Sequence, residues 1–440
     1  MTDNDNTRIR GLNRPDVRGR LPVNTRFYYG WLIVVIAGVG IFFSGPGQTY
    51  TNSVFIDFYM RDLGLSQTVV SSIYSGATLL SGLLMVFMGR MVDRWGWRIM
   101  LTIAGFMLGS ACFFNSFVTG PVMLFAGFFL VRYFGQGSLM LIPNTLVSQW
   151  FFAWRGRALS FAGIGGLASA AAFPPLINWL IGQYGWQSTW RILGVALIVF
   201  FVPLAFWLVR DRPEDVGLLP DGRGAVPETP ERAGAPEPAA EHSWTLREAV
   251  RTRAFWCVMI CGAVMAMVFT GITFQLFPIL AERGIDRTTT AFMLSLVPVI
   301  SFVCSLIAGF VVERVRAHLV LGLAFLLCAA TPVMLMHAGS MAAVILFAAT
   351  WGIAQGFMNI PLGVLWPNYF GRRHLAGIQG VTHTAMVIGS ALGPVQFGWA
   401  FDRFGSYDSV LLASAGIWVL GAALAFLATP PVRRMEKDAA

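Results

Sequence analysis

Long runs of apolar residues, separated by short polar breaks, recur along almost the whole 440-residue chain. An α-helix rises 1.5 Å per residue, so about 20 apolar residues cross a hydrocarbon core of about 30 Å. The pattern predicts twelve transmembrane helices. They are predicted to begin near Tyr28, Thr68, Ile99, Val122, Ala158, Trp190, Ala254, Thr289, His318, Ala342, Leu375 and Val410.

The sequence also repeats at a spacing of half its length. A charged turn between the second and third predicted helices, Gly89–Arg98, has a second copy at Gly309–Arg316. Further pairs at a spacing of 219 or 220 residues are Gly64 and Gly284, Gln136 and Gln355, Pro174 and Pro394, and Gly185 and Gly405. A fixed long period indicates an internal duplication. The sequence therefore predicts an all-α membrane protein whose twelve transmembrane helices form two pseudo-symmetric six-helix bundles.

Polar stretches divide the predicted helices into domains. The stretch from Pro220 to Glu241 is rich in Pro, Ala, Gly and Glu, a composition that buries too little apolar surface to fold by itself. We therefore predict a flexible cytoplasmic linker between the bundles. The predicted parts are a cytoplasmic tail at 1–26, an N-terminal bundle at 27–209, the linker at 210–253, a C-terminal bundle at 254–429 and a second cytoplasmic tail at 430–440.

Composition agrees with a membrane location. The chain is 56% hydrophobic and 12% charged, whereas soluble domains are about 25% charged. The net charge of +9 would suggest nucleic acid as a partner of a soluble protein, but most of the 31 Lys and Arg lie in the tails, the linker and alternate loops. This asymmetry follows the positive-inside rule. It predicts a multi-pass protein of the bacterial inner-membrane type with both termini cytoplasmic, lipid around it and no nucleic-acid partner.

The sequence offers little for catalysis or cofactor binding. Its five cysteines fall inside predicted helices without His or acidic neighbours at metal-ligand spacing, so we predict neither a disulfide nor a metal site. No glycine-rich nucleotide-binding motif is present. Because no Ser/His pair or paired Asp lies at a shared depth, we predict that the protein is not an enzyme and has no cofactor.

The loop Gly-x-x-x-Asp-Arg-x-Gly-x-Arg at Gly89–Arg98 resembles the signature of the major facilitator superfamily. The segments Arg26–Trp31 and Gln149–Ala158 resemble its monocarboxylate porter and oxalate/formate exchanger branch. The resemblance implies that an acid in each half clamps the two bundles together on the cytoplasmic side in one of two states. The clamp residues would be Gly89, Asp93, Arg94 and Arg98 in one half and Gly309, Glu313 and Arg314 in the other; ordinary topology charges are the alternative.

Arg132 is the main candidate for binding a substrate. It lies eleven residues after Pro121, which starts its predicted helix, and therefore about 16 Å into the membrane. An Arg at that depth costs about 2.5–3.5 kcal/mol and is a functional candidate. Its planar fork suits a carboxylate, and Gln136 follows one turn later. The alternative, implied by the fourth-helix motif of the family, is that Arg132 bonds to backbone carbonyls of the first helix and has a structural role.

Other polar residues interrupt otherwise apolar helices. Pro46 and its glycine neighbours are predicted to break the first helix. The candidates for the lining of a wet central cavity are Gln48 and Asn52 after that break, Gln355 and Asn359 on the tenth helix, and His383 on the eleventh. Hydrogen bonding between helices is the alternative for each. Asp57 lies about 39 Å beyond Trp31 along a helix, so we expect a solvated charge at the outer mouth.

These residues predict a secondary active transporter that moves a small organic anion, a mono- or dicarboxylate, by alternating access as a monomer. The chain departs from the branch that it resembles, because its eighth helix has no charge before Glu313 and Met386 replaces a Lys on the eleventh. This counts against both lactate-type symport and oxalate-type exchange. Proton coupling through His383 and exchange both stay open. The alternatives are an exporter of amphipathic compounds and a membrane sensor that does not transport.

Overall fold

The computed structural model describes residues 27–151, 154–222, 244–371 and 375–431. The predicted tail at 1–26, residues 432–440 of the predicted tail at 430–440 and the middle of the predicted linker lie outside the described residues. Within the described ranges the chain is helical and contains no β-strand, which confirms the predicted all-α class.

The helices follow the predicted order. In the first half they are α1 Gly30–Phe43, α2 Thr49–Leu63, α3 Gln67–Trp95, α4 Trp97–Asn115, α5 Pro121–Val131, α6 Leu139–Trp150, α7 Arg155–Ala196 and α8 Val202–Leu208. In the second half they are α9 Leu246–Ala249, α10 Arg253–Glu282, α11 Arg287–Arg314, α12 Ala317–Met336, α13 Met341–Phe370, α14 Leu375–Phe404 and α15 Asp408–Leu427. Short 3₁₀ turns occupy Gly45–Gly47, Glu214–Val216 and Pro220–Gly222, and π-helical segments occupy Arg132–Ser138 and Leu197–Phe201.

Ten helical segments among the described residues are long and apolar enough to cross a membrane. One of them, Arg155–Leu208, has 54 residues and contains the fifth and sixth predicted helices. The two join at Gly185, where a φ of 78° turns the chain in a conformation that glycine adopts without strain. The helix α14, which the sequence predicts as the eleventh, is 30 residues long but is not among the ten.

Contacts between residues divide the chain into two compact units. Among the described residues, 27–55 and 80–222 form what we call the N-terminal unit, and 56–79 and 244–431 form the C-terminal unit. The end of α2 and the start of α3 therefore contact the second half of the chain, although they belong to the first half of the sequence. The helices α2 and α3 each pass from one unit into the other.

Each unit contains a helix pair that glycine brings into close contact. In the N-terminal unit α1 packs on α7, and a Cβ atom at Gly165 would lie 1.9 Å from the carbonyl oxygen of Gly38. In the C-terminal unit α10 packs on α14, and a Cβ atom at Gly393 would lie 2.1 Å from the carbonyl oxygen of Met267. Small residues permit such close packing in membranes, where dispersion contacts hold helices together.

Candidate functional site

The first membrane-spanning segment is broken at Gly45–Gly47, as the sequence predicts. Pro46 has no N–H group, so it cannot donate to the carbonyl oxygen of Phe42 four residues earlier. Ser169 of α7 donates its hydroxyl to this oxygen instead, at 2.8 Å. Gln48 then adopts an extended conformation (φ −82°, ψ 154°) before α2 begins. The break therefore has a side-chain partner from a neighbouring helix.

A second irregular segment faces this break from the fourth predicted helix. The π-helical segment Arg132–Ser138 separates α5 from α6. A Cβ atom at Gly47 would lie 2.7 Å from Cα of Gly135 and 2.2 Å from the carbonyl oxygen of Val131, so the two backbones touch. Single-turn π segments are rare and occur often at functional sites. We did not predict this one, although two glycines in an apolar helix are a local signal for it.

Arg132 lies at the junction of these two segments. Its side chain is buried, with 3% exposed, and its Nη1 donates to the carbonyl oxygen of Gly47 at 3.4 Å and to Oγ1 of Thr49 at 3.2 Å. A bond to a backbone carbonyl of the first helix is the contact expected from the structural alternative. Both of these acceptors are neutral groups, and they orient the guanidinium. A substrate-binding role for Arg132 stays a prediction.

The polar side chains around the break form hydrogen bonds within residues 44–52. Nε2 of Gln48 donates to Oγ of Ser44 at 3.0 Å, and Nδ2 of Asn52 donates to the carbonyl oxygens of Gln48 at 2.8 Å and Pro46 at 3.3 Å. Gln136 is half-buried on the π segment. Gln48, Asn52, Gln136 and Arg132 thus all lie in the N-terminal unit around one junction.

Two contacts at this junction were missed by the sequence analysis. Tyr50 and Ser169 form a hydroxyl–hydroxyl bond at 2.8 Å. Because Ser169 donates to Phe42, Tyr50 donates to Ser169. The Thr49 hydroxyl that accepts from Arg132 was not predicted either. Hydroxyl groups are common in apolar helices, so their spacing alone did not single them out.

The other three predicted substrate residues lie in the C-terminal unit. Gln355 is half-buried and Asn359 is exposed one turn later on α13, and His383 is exposed on α14. Among the described residues none of the three side chains has a hydrogen-bond partner. An amide exposed to lipid is costly, so these positions fit a water-filled surface. Their role in binding stays a prediction.

The predicted clamp residues fall into two groups. Asp93 and Arg94 at the end of α3, and Glu313 and Arg314 at the end of α11, are exposed, and none of the four forms an ion pair with another described residue. Gly89 and Gly309 lie in the last turns of the same two helices. The clamp stays a prediction for these residues.

Arg98 has a different environment. Its guanidinium lies 4.7 Å from the ring centre of Phe206, and its Nε donates to the carbonyl oxygen of Phe206 at 2.6 Å. Oδ1 of Asp211 accepts from the backbone N–H of Arg98 at 2.7 Å. The carboxylate of Asp211 therefore caps the start of α4, where an acid is favourable. These contacts attach the turn Gly89–Arg98 to the end of α8 inside the N-terminal unit.

The expectation that Asp57 is a solvated charge is wrong. Asp57 lies in α2 and forms an ion pair with Arg287 at the start of α11, and each side chain is 31% exposed. The sequence spacing gave its distance along the helix, but it could not give a partner 230 residues away. Both residues belong to the C-terminal unit.

The described residues contain no group of three or more His, Cys, Asp or Glu that could hold a metal ion. Their chemistry is that of a buried cation, amides and hydroxyls at a broken helix inside an apolar bundle. Broken helices with polar groups at membrane depth are typical of secondary carriers. The fold and this junction define the class of protein: a multi-pass membrane carrier.

Comparison with known proteins identifies the family. The sequence profile of the Major Facilitator Superfamily matches residues 37–394, so the chain belongs to this superfamily of transporters, which is not an enzyme family. The structure resembles a bacterial homolog of the human lysosomal transporter Spinster, with a TM-score of 0.72 over 92% of this chain and 98% of that one, at 15% identity. At this identity the likeness shows the fold, which confirms the fold expected from the resemblance.

Curated relatives are similar over most of their length. A probable sulfoacetate transporter of Cupriavidus necator is 23% identical over 86% of this chain and 89% of its own. A probable L-galactonate transporter of Escherichia coli is 24% identical over 86% and 85%. Monocarboxylate transporter 2 of Meriones unguiculatus is 22% identical over 93% and 87%. These similarities agree with the organic-anion branch indicated by the sequence.

Proposed function

We propose that this carrier moves a small organic anion, a mono- or dicarboxylate or a similar acid, by alternating access. The observation that carries the proposal is the buried guanidinium of Arg132 at the contact between the broken first segment and the π segment. A fixed positive charge at this depth favours an anion over a cation or a neutral cargo. The relatives named for sulfoacetate, L-galactonate and monocarboxylates support the same choice.

Direct contact between Arg132 and the substrate is not needed for this selectivity. A unit charge attracts an opposite charge about 8 Å away by about 2 kcal/mol at an effective dielectric constant of about 20. Half-buried Gln48 and Gln136 lie at the same junction, Gln48 directly after Gly47 and Gln136 one turn after Arg132, and carry amide N–H groups that could bind a carboxylate. Arg132 would supply the electrostatic preference, and the amides would supply the hydrogen bonds.

The proposal includes a topology and a coupling mode. The moving bodies are the predicted bundles at 27–209 and 254–429, with both termini cytoplasmic in a bacterial inner membrane and one chain sufficient for transport. His383, exposed on α14, is the candidate for carrying a coupled proton. Exchange of one anion for another is the alternative, and it requires no titrating group.

A second candidate function has one observation in its favour. A groove of about 490 Å³ runs between α1 and α7, and its lining is apolar and partly aromatic, including Trp31, Phe42 and Phe161. Such a surface suits an amphipathic cargo. An exporter of amphipathic compounds would use this groove and would not need the charge of Arg132.

Thermal stability of the purified protein separates the two candidates. A ligand that binds only the folded state at 100 times its Kd stabilises it by about 2.7 kcal/mol. We expect sulfonate, aldonate or monocarboxylate ligands to raise Tm and lipophilic amines to leave it unchanged. An increase of Tm with lipophilic amines, and with none of the acids, would favour the exporter and contradict the organic-anion proposal.

A further inference from the structure

A cluster of polar contacts fixes the end of α2 and the start of α3 to the C-terminal unit. We call it the α2–α3 latch and define it by three contacts: Asp57 with Arg287, Gln67 and Ser71 with Gln275, and Thr68 with Asp402. All of these residues lie in the C-terminal unit. The superfamily resemblance assigns no role to them.

The ion pair at the latch is shielded on two sides. The guanidinium carbon of Arg287 lies 4.6 Å from the ring centre of Phe58 on α2 and 4.9 Å from that of Phe277 on α10. Aromatic faces attract a guanidinium and exclude water from it. An ion pair that is partly removed from water is less screened than one at the surface. Loss of Asp57 would therefore leave Arg287 between two rings without this acid.

Two further contacts hold the start of α3. Gln67 donates to Oε1 of Gln275, whose Nε2 donates to Oγ of Ser71 at 2.7 Å. Oδ2 of Asp402 on α14 accepts from the backbone N–H of Thr68 at 2.9 Å and so caps the N-terminus of α3. One turn beyond Ser71, the ring of Tyr74 stacks on Phe274 at 4.1 Å.

The latch is continuous with the candidate site through α2. Thr49, which accepts from Arg132, lies eight residues before Asp57 on the same helix, or about 12 Å along its axis. The chain crosses between the units at Phe55 and Ile56 within α2 and at Leu79 and Leu80 within α3. Asp57, Gln67 and Thr68 belong to the predicted bundle at 27–209, and their partners belong to the predicted bundle at 254–429. Movement of these predicted bundles must therefore either bend α2 and α3 or release the latch.

We propose that Asp57 and Arg287 are positioning residues for transport: their ion pair holds α2 in one of its two working orientations, and the carrier releases the pair once in each cycle. The proposal rests on alternating access in the proposed function. Release breaks the charged contact and the amide contacts together, because both fix the same segment. The pair then re-forms when the cycle returns to the state seen here.

Cysteine labelling measures the release directly. Ser75, 5% exposed on α3 and one turn beyond Ser71, takes no part in the latch bonds. Ser75→Cys serves as the reporter in a Cys304→Ala background, since the four other cysteines are buried. The protein is placed in lipid nanodiscs, where a polar maleimide reaches both faces, and its labelling rate is measured without substrate.

We expect slow labelling when the latch is intact. Asp57→Asn and Arg287→Gln should each raise the labelling rate at least about tenfold, which corresponds to a population shift of 1.4 kcal/mol. The charge-exchanged variant D57R/R287D restores an ion pair and should return the rate towards that of the unmodified latch. Arg191→Gln is the control, because Arg191 lies in the N-terminal unit, where its Nε donates to Oγ of Ser116, and takes no part in the latch; its rate should not change.

Unchanged labelling in folded Asp57→Asn and Arg287→Gln would overturn the proposal. So would a charge-exchanged variant that is folded and labels as fast as the single variants, because the pair would then not be the cause. Elution profile and Tm establish folding for each variant. The labelling measurement uses no substrate, so it remains valid if the organic-anion proposal is wrong. A negative labelling result, in turn, does not contradict the organic-anion proposal.

Discussion

Replacing Arg132 with Gln is expected to weaken organic-anion transport about 30-fold, because about 2 kcal/mol of attraction to an anion corresponds to this factor. The change should appear as a higher half-saturation concentration for the acid, since the charge acts on the bound anion. Arg132→Lys keeps the charge but loses the planar fork that reaches Gly47 and Thr49. It should therefore retain part of the affinity.

Arg191→Gln is the matched control for this prediction. Arg191 also lies in the N-terminal unit, where its Nε donates to Oγ of Ser116 at 3.2 Å. Removing this cation takes away one charge outside the junction and should leave the half-saturation concentration unchanged. If Arg132→Gln folds and transports the acid with wild-type affinity, the guanidinium has only a structural role, and the electrostatic part of the proposed function is wrong.

Gly47→Ala is expected to lower both the Tm and the transport rate. The added Cβ atom would lie 2.2 Å from the carbonyl oxygen of Val131 and 2.6 Å from the backbone nitrogen of Gln136. These are backbone atoms, so relief requires the broken segment and the π segment to separate. Overpacking of this kind typically costs about 1–3 kcal/mol. It would also draw the carbonyl oxygen of Gly47 away from Arg132.

Gly163→Ala is the control, for which we expect no decrease in Tm. Gly163 lies inside α7 of the same unit, and no atom lies within 4 Å of the position of its added Cβ. Ala is favoured over Gly in a helix by up to about 1 kcal/mol, so its Tm should stay the same or rise. Equal Tm values and transport rates for Gly47→Ala and wild type would contradict the close contact between the two segments.

The features that the sequence predicted depend on the order of residues along the chain and not on contacts between distant residues. Apolar runs predicted the helices, since about 20 apolar residues meet the hydrocarbon thickness by themselves. Pro46 between two glycines predicted the break, because a proline removes a backbone donor in any helix. The repeat at 220 residues predicted two similar halves, because a fixed long period indicates an internal duplication. Such a repeat can be found in the sequence without knowing any contact.

The features that it missed depend on contacts between distant residues. Asp57 and Arg287 are separated by 230 positions in the sequence. The distance of Asp57 along its helix therefore predicted a solvated acid, because it could not show that the fold brings Arg287 next to it. Asp211 caps α4 from the other end of the half-chain, 113 positions away from Arg98. The position of Arg132 along its helix predicted its depth in the membrane, but spacing could not decide between a substrate and the carbonyl oxygen of Gly47.

Uptake of an organic acid into proteoliposomes that contain the purified protein tests the central claim most directly. The acid that raises Tm most is supplied outside in labelled form, and the vesicles hold the same acid unlabelled, so transport appears as exchange of label whatever the coupling. We predict saturable uptake that empty vesicles lack and that Arg132→Gln weakens about 30-fold. Absence of acid uptake, together with movement of a lipophilic amine by the same vesicles, would contradict the account.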